Sequence, residues 1–474
     1  MKSYLFYDIE TTGLNKSFDQ ILQFAAIRTD EKLNEKERYS IQVKLRPDVV
    51  PSPHAAITHR IPLADMDQGL TELDAVSKIH TLLNAPGTIS LGYNTLGFDD
   101  EFLRFSFHRN LLPPYHHQYA GGCGRMDLLP MAVLYFLYKP EVISWPDIDG
   151  KSTLKLEHIS RLNSLAEGKA HDAMVDVEAT LELARRFIRE KGMWDFILGY
   201  FNKDSDRERV GKLPSAFDSS AGMHLMGIMT GSRFGSDALY QAPVLYLGDS
   251  IPYKNQSLWL RLDDPELREV KDSNVLEKTS VLRKRMGEPN MILPPHDRFM
   301  GRLDSGRKAL MEENLAWLKR ETKLFYAIIK ENCEFRYPEV PDVDPDASLY
   351  VNGFLSREQE KLCVSFHRNV KKQGAELIAG FSEGPLRQLA LRVLFRNFGR
   401  ESFAGYEDDY IRYRKKVSPA DEMDAMKDYR NDRKLTPKKA LEQIEELRKG
   451  QGMDPEQTAI LHDLEGYIIK QFLS

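Results

Sequence analysis

Asp8 and Glu10 stand one residue apart in the segment Phe6-Tyr7-Asp8-Ile9-Glu10-Thr11-Thr12-Gly13, at the end of an apolar run that starts at Tyr4. On a strand, residues i and i+2 face the same way. Both carboxylates therefore point into one small volume, where two anions repel unless a cation lies between them. Hard oxygen ligands select Mg2+, with Mn2+ able to substitute. Two further segments can complete such a centre. Asp99 lies in Gly92-Tyr93-Asn94-Thr95-Leu96-Gly97-Phe98-Asp99-Asp100-Glu101, where a strand gives way to a helix. His171 and Asp176 lie in Ala170-His171-Asp172-Ala173-Met174-Val175-Asp176, at the start of a long helix. Their spacing puts His171 about a turn and a half before Asp176.

Four carboxylates (Asp8, Glu10, Asp99 and Asp176) can hold two divalent ions about 4 Å apart. One ion would lower the pKa of an attacking water, and the other would stabilise the leaving oxygen of a phosphodiester. His171, which titrates near neutrality, would take the water's proton. Taken alone, Asp99 reads first as a helix N-cap, and Asp172 is the better candidate to cap the helix that carries Asp176. The four acidic positions, in this order along the chain, carry the metal reading together.

Elements of alternating type must position these residues. Strands are expected at 3–8, Ile21–Thr29, 39–45 and 88–93, with a polar turn at 30–34 joining the second and third as a hairpin. Helical spacing covers 73–83, 98–110 and about 172–190. A hairpin joined to βαβ units implies an α/β fold with a mixed sheet flanked by helices. From 197 to 346 short strand candidates dominate, at Gly222–Thr230, 243–248 and 257–263, followed by a helix near 305–330. The proline-rich stretch 337–345 reads as a linker. Beyond it the chain is helical, with Pro437–Lys449 opened by a Thr436 cap and Pro437 in the first turn, and another helix over 455–472. The expected domains are 1–196, 197–346 and 347–474.

Composition narrows the class. The 474 residues are 42% hydrophobic and 29% charged with a net charge of −5, an ordinary globular balance with no global basic field. Cys123, Cys333 and Cys363 are scattered without zinc spacing, which suits a reducing cytoplasm. No apolar run reaches membrane-spanning length, and no signal peptide is expected.

The segments DIETTG, GYNTLGFDDE and HDAMVDVEAT resemble the motifs of the DEDD superfamily of 3′→5′ exonucleases, in its histidine-bearing, DnaQ-like branch (DEDDh). More narrowly, the chain is similar to the bacterial exonuclease I family. The likeness extends to Leu349-Tyr350-Val351-Asn352-Gly353-Phe354 and Arg396-Asn397-Phe398, while the middle region matches poorly. The resemblance implies an RNase H-like exonuclease domain, then an SH3-like β-rich domain and an all-helical C-terminal domain. It implies Mg2+-dependent release of 5′-mononucleotides from single-stranded DNA, in DNA repair and recombination. Glu10, Thr11, Thr12, Leu14 and Phe98 would contact the terminal nucleotide, with Leu14 as an apolar wedge.

The resemblance also implies a second partner, the acidic C-terminal tail of single-stranded DNA-binding protein. The basic runs 283–285, 412–416 and 430–434, with Lys438-Lys439, would serve either ligand. The expected protein is a cytoplasmic monomer with no membrane contact. Two rival readings stand beside it: an RNA exonuclease of the same superfamily, and a non-catalytic scaffold that binds single strands.

Overall fold

The structure is a computed structural model that describes residues 2–168, 172–450 and 452–473. Five strands form the main sheet: β1 (Ser3–Thr11), β2 (Ile21–Thr29), β3 (Glu35–Gln42), β4 (Thr88–Leu91) and β5 (Gly124–Arg125). Their spatial order is β3-β2-β1-β4-β5. β1 is central, antiparallel to β2 and parallel to β4, so the sheet is mixed as its hairpin-plus-crossover pattern predicts. The third strand starts earlier than the expected 39–45. Asp30 Oδ1 accepts from the backbone N–H groups of Lys32 and Asn34, each at 2.9 Å. That closes the turn at Asn34 and draws polar residues 35–38 into an exposed edge strand.

The two faces of β1 divide by residue parity. Leu5, Tyr7 and Ile9 join a buried core with Val76, Ile79, Phe102 and Phe107. Those partners come from α1 (Glu72–Leu83) and α2 (Asp99–Arg109). A third helix, α3 (Ala173–Phe187), follows later in the chain. Arg38 of β3 makes a solvent-exposed ion pair with Glu178 of α3.

The chain separates into two compact units, 1–125 with 166–181 and 339–474, and 126–165 with 182–338. In the first, the C-terminal helices share a core with the sheet region: Phe366, Leu394, Ile444 and Leu461 pack in one cluster with Phe18, Leu73 and Leu111. A buried ionic network runs through the same unit. Arg46 binds Glu72 at 2.9 and 3.0 Å and Asp48 at 3.0 and 3.1 Å. Arg396 reaches both Asp48, at 3.2 Å, and Asp346. The Tyr413 hydroxyl donates to Asp48 at 2.6 Å, and Lys434 Nζ donates to the Asp48 carbonyl at 2.6 Å.

Several local expectations are met within this unit and one is corrected. Thr436 caps Pro437–Lys449 by accepting from Lys439 N at 3.2 Å. The final α-helix ends at Ile468, and a π-helical turn completes it to Leu473. The segment 337–345 is not a free linker at its far end. Asp344 N donates to Lys427 O at 3.0 Å, and the Asp344 carboxylate pairs with buried Arg392.

The second unit holds a six-stranded antiparallel sheet. Its main path is Val281–Arg285, Gln256–Arg261, Gln241–Asp249, Gly222–Thr230 and Met291–Leu293 in spatial order, with Ser215–Ser219 also pairing onto Gly222–Thr230. The expected helix over 305–330 is two, Ser305–Arg320 and Thr322–Glu334, because Glu321 leaves helical geometry at ψ 55°. Among the described residues no helix is long and apolar enough to cross a membrane.

Candidate active site

β1 outruns its neighbour. β4 pairs only with Ser3–Phe6 and ends at Leu91, which leaves the far end of β1 without a parallel partner. Asp99 fills the gap: its Oδ1 accepts from Ile9 N at 3.2 Å. The turn from β4 into α2 therefore delivers Asp99 beside Asp8 and Glu10. The turn is tight, because a Cβ on Gly92 would meet the Tyr7 carbonyl oxygen at 2.4 Å. Asn94 takes the left-handed conformation, φ 65°, that asparagine tolerates.

Asp8 and Glu10 lie on the face of β1 opposite the apolar core, both half-buried. The register shifts after Glu10, and this bulge sets the strand end at the site. Asp176 comes from the first turn of α3. Asp172 caps that helix, accepting from Met174 N at 2.9 Å, while its carbonyl accepts from Asp176 N at 3.1 Å. Each of Asp8, Glu10 and Asp176 offers a carboxylate oxygen, and these atoms lie within 4.8 Å of one another.

That spacing is costly without a counter-charge. Burial, and then the charges of Asp99, Asp176 and Glu10, hold the Asp8 carboxyl well above its usual range. Burial, followed by Asp176, Asp99 and Asp172, pushes Glu10 up to about 8. An all-oxygen, anionic donor set of this size fits a hard divalent cation. His171 lies outside the described residues. Asp100, adjacent to Asp99, has a different task. Burial alone would raise its pKa, but Arg125 and Arg104 outweigh that and hold it far below the usual range; His117 also binds it at 2.9 Å.

The five residues expected at the terminal nucleotide fall into two groups. Thr11 and Thr12 are buried and their hydroxyls are engaged. Thr11 donates to Gly13 O at 2.8 Å, and Thr12 donates to Asp19 Oδ1 at 3.2 Å while accepting from Gln20 N at 2.9 Å. Their hydroxyls hold the loop in shape. Leu14, 78% exposed, and half-buried Phe98 present apolar surface, while Glu10 belongs to the acidic cluster. Tyr7 and Phe102 are core residues.

Sequence reasoning missed one cation here, Lys16, and named a second, Arg430, only as part of a basic run. Lys16 Nζ donates to Gly97 O at 2.9 Å and lies 5.7 Å from the Phe98 ring centroid. A lone lysine in a loop carries no motif. Arg430 stood in a basic run, but nothing in its spacing shows which element it faces.

A mixed sheet whose central strand bears Asp-x-Glu, met by an aspartate at a βα turn and another on a later helix, is the layout of an RNase H-like exonuclease. Residues 5–184 match the RNase_T family, described as exonuclease. By sequence the chain is similar to exodeoxyribonuclease I of two bacteria. It is 33% identical to the Haemophilus influenzae enzyme over 247 residues and 37% identical to the Escherichia coli enzyme over 205 residues. These stretches cover 52% and 42% of this chain, and 51% and 43% of the relatives, so the chain spans about half the length of the curated relatives it matches. In three dimensions E. coli exonuclease I in complex with a dA16 oligonucleotide superposes with a TM-score of 0.83. That match covers 99% of this chain and 100% of the other at 23% identity, which shows the shared fold.

Proposed function

We propose that this protein is a 3′→5′ exodeoxyribonuclease that degrades single-stranded DNA to 5′-mononucleotides in DNA repair and recombination. The observation that carries this reading is the convergence of Asp8, Glu10 and Asp176 oxygens within 4.8 Å, in a region that matches the exonuclease family. Asp8, Glu10, Asp99 and Asp176 would hold two Mg2+ ions, with Mn2+ as a substitute. Bound there, the cations supply Lewis acidity and positive charge for phosphodiester hydrolysis. The protein's own groups do the rest. β1 and the Asp99 turn fix the donor positions before substrate arrives, which spares reorganisation during reaction. Leu14 and Phe98 hold the terminal base, while the Thr11–Thr12 loop offers backbone to its nucleotide. His171 removes a proton from the attacking water. His171→Ala is expected to lower kcat by about 10²- to 10⁴-fold. Calorimetric metal titration of this variant should give near-native affinity, and loss of metal binding would contradict the base assignment.

The remaining proposals follow the same reading. The regions 1–196, 197–346 and 347–474 act as nuclease, SH3-like and helical domains of a cytoplasmic monomer. Its second partner is the acidic C-terminal tail of single-stranded DNA-binding protein. The deciding experiment follows matched 5′-labelled DNA and RNA oligomers with Mg2+. Stepwise shortening of the DNA from its 3′ end is expected. Preference for the RNA would favour an RNA exonuclease, since nothing in the acidic site excludes a 2′-hydroxyl. Binding without hydrolysis in either metal would favour a scaffold.

A further inference from the structure

We infer that Lys16 and Arg430 form a two-cation clamp on the internucleotide phosphates just upstream of the scissile bond. This deepens the proposed nuclease reading and rests on it. Lys16 follows the acidic strand, and its ammonium is anchored on the carbonyl of Gly97, two residues before Asp99. Arg430 arrives from the far end of the chain. Asn15 Nδ2 donates to Asp428 Oδ2 at 3.3 Å, joining the Lys16 loop directly to the 428–432 turn. That turn is rigid, because Asp428 Oδ1 accepts from Arg430 N at 2.8 Å and from Asp432 N at 2.9 Å. Tyr429 stacks on Phe105 of α2, with centroids 5.7 Å apart and planes at 19°, and meets Tyr350 edge-on at 5.1 Å. The Arg430 guanidinium lies 5.1 Å from the Tyr429 ring centroid.

Among the described residues neither Lys16 nor Arg430 is in a salt bridge, and the nearby carboxylate of Glu101 is already engaged by Arg104 at 3.0 Å and by the Tyr350 hydroxyl at 2.7 Å. Some members of the basic runs are consumed within the protein. Lys284 is buried on Asp206 at 2.6 Å, and Arg414 donates to Pro47 O at 2.6 Å. Arg433 donates to Met423 O, and Lys434 is buried on Asp48 O. A polyanionic strand approaching four carboxylates meets repulsion. Two cations outside any salt bridge, held beside that cluster, offset it, and they bind phosphate without reading sequence.

The test measures binding of a 5′-fluorescein oligothymidylate in EDTA, and then steady-state digestion in Mg2+. The proteins are wild type, Lys16→Gln, Arg430→Gln and the charge-keeping Lys16→Arg and Arg430→Lys. Each neutral variant should bind about 5- to 10-fold more weakly and lower the salt slope of log K by about 0.7. KM should rise in proportion, with kcat within about twofold of wild type. The charge-keeping variants should recover most of the loss. Unchanged KM and salt slope in the neutral variants, or a fall in kcat at constant KM, would overturn the clamp. A wild-type protein that neither binds nor digests the strand would overturn the nuclease reading itself.

Discussion

Asp176→Asn is expected to lower strand hydrolysis by on the order of 10³- to 10⁴-fold, and yet to stabilise the metal-free protein. The first effect follows from removing one of three carboxylates whose oxygens converge within 4.8 Å, and so a share of the charge that holds the cations. The second follows from the same crowding. Glu10 is pushed from 4.5 to about 8 by burial, with Asp176 the largest of the charges acting on it. An acid whose folded pKa is raised favours folding least when ionised, so stability falls as pH rises from 4.5 through about 8. Neutralising Asp176 relieves part of that penalty. In EDTA at neutral pH the variant's midpoint should rise by about 1–2 °C, which corresponds to about 1 kcal/mol in a chain of this length. Added Mg2+ should raise the wild-type midpoint, by about 2.7 kcal/mol of stability at a hundredfold excess over Kd, and should leave the variant nearly unmoved. Thermal denaturation with and without metal, beside a rate assay, reads all three. A variant less stable than wild type in EDTA would mean that Asp176 makes structural contacts that outweigh its repulsion.

What was legible in the sequence was what depends on local spacing. The parity of Asp8 and Glu10 on a strand, the cap role of Asp172 and the Thr436 helix start all involve residues within a few positions of one another. The hairpin was legible too, but not its register, because the closing contact belongs to a side chain, Asp30, rather than to the apolar pattern. The union of the C-terminal helices with the sheet was not legible. It rests on contacts such as Asn397 Oδ1 accepting from Leu73 N at 2.9 Å, across 324 residues. Which members of the basic runs are available was not legible for a related reason. Charge spacing cannot tell a solvated lysine from one such as Lys434, whose partner lies hundreds of residues away and whose pKa burial lowers to about 8. Arg430 and Lys16 become a pair only through the Asn15–Asp428 hydrogen bond, which again no periodicity encodes.

Arg396→Ala is expected to be the most damaging substitution outside the acidic centre, costing about 3–5 kcal/mol. The guanidinium is buried between Asp346 and Asp48, with the Tyr413 hydroxyl against it. Removing it leaves Asp48 to Arg46 and Lys434 and leaves Asp346 to Arg392, two buried carboxylates each short of a cation, and desolvation rather than lost attraction sets the size of the loss. Arg396→Lys should rescue little, because a point-charge ammonium cannot replace a planar fork that spans two acids. The pH dependence has a definite sign. Burial alone would raise Asp48, but Arg396, Arg46 and Lys434 outweigh it and hold it well below the usual range. In the same way Arg109 and Arg46 outweigh burial at Glu72 and hold it at about 2, against an ordinary 4.5. Acids with depressed folded pKa values contribute stability that is fully present above 4.5 and erodes as pH falls toward 2. The acid-unfolding midpoint of Arg396→Ala should therefore move to higher pH than that of wild type, because Asp48 loses its principal cation. Asp48 belongs to the sheet region and Arg396 to the C-terminal helices, so both should unfold together. Urea titrations followed by fluorescence and by far-ultraviolet circular dichroism at pH 7 and pH 4 test this. Loss of the C-terminal helices while the sheet region stayed folded would show that the network does not couple them.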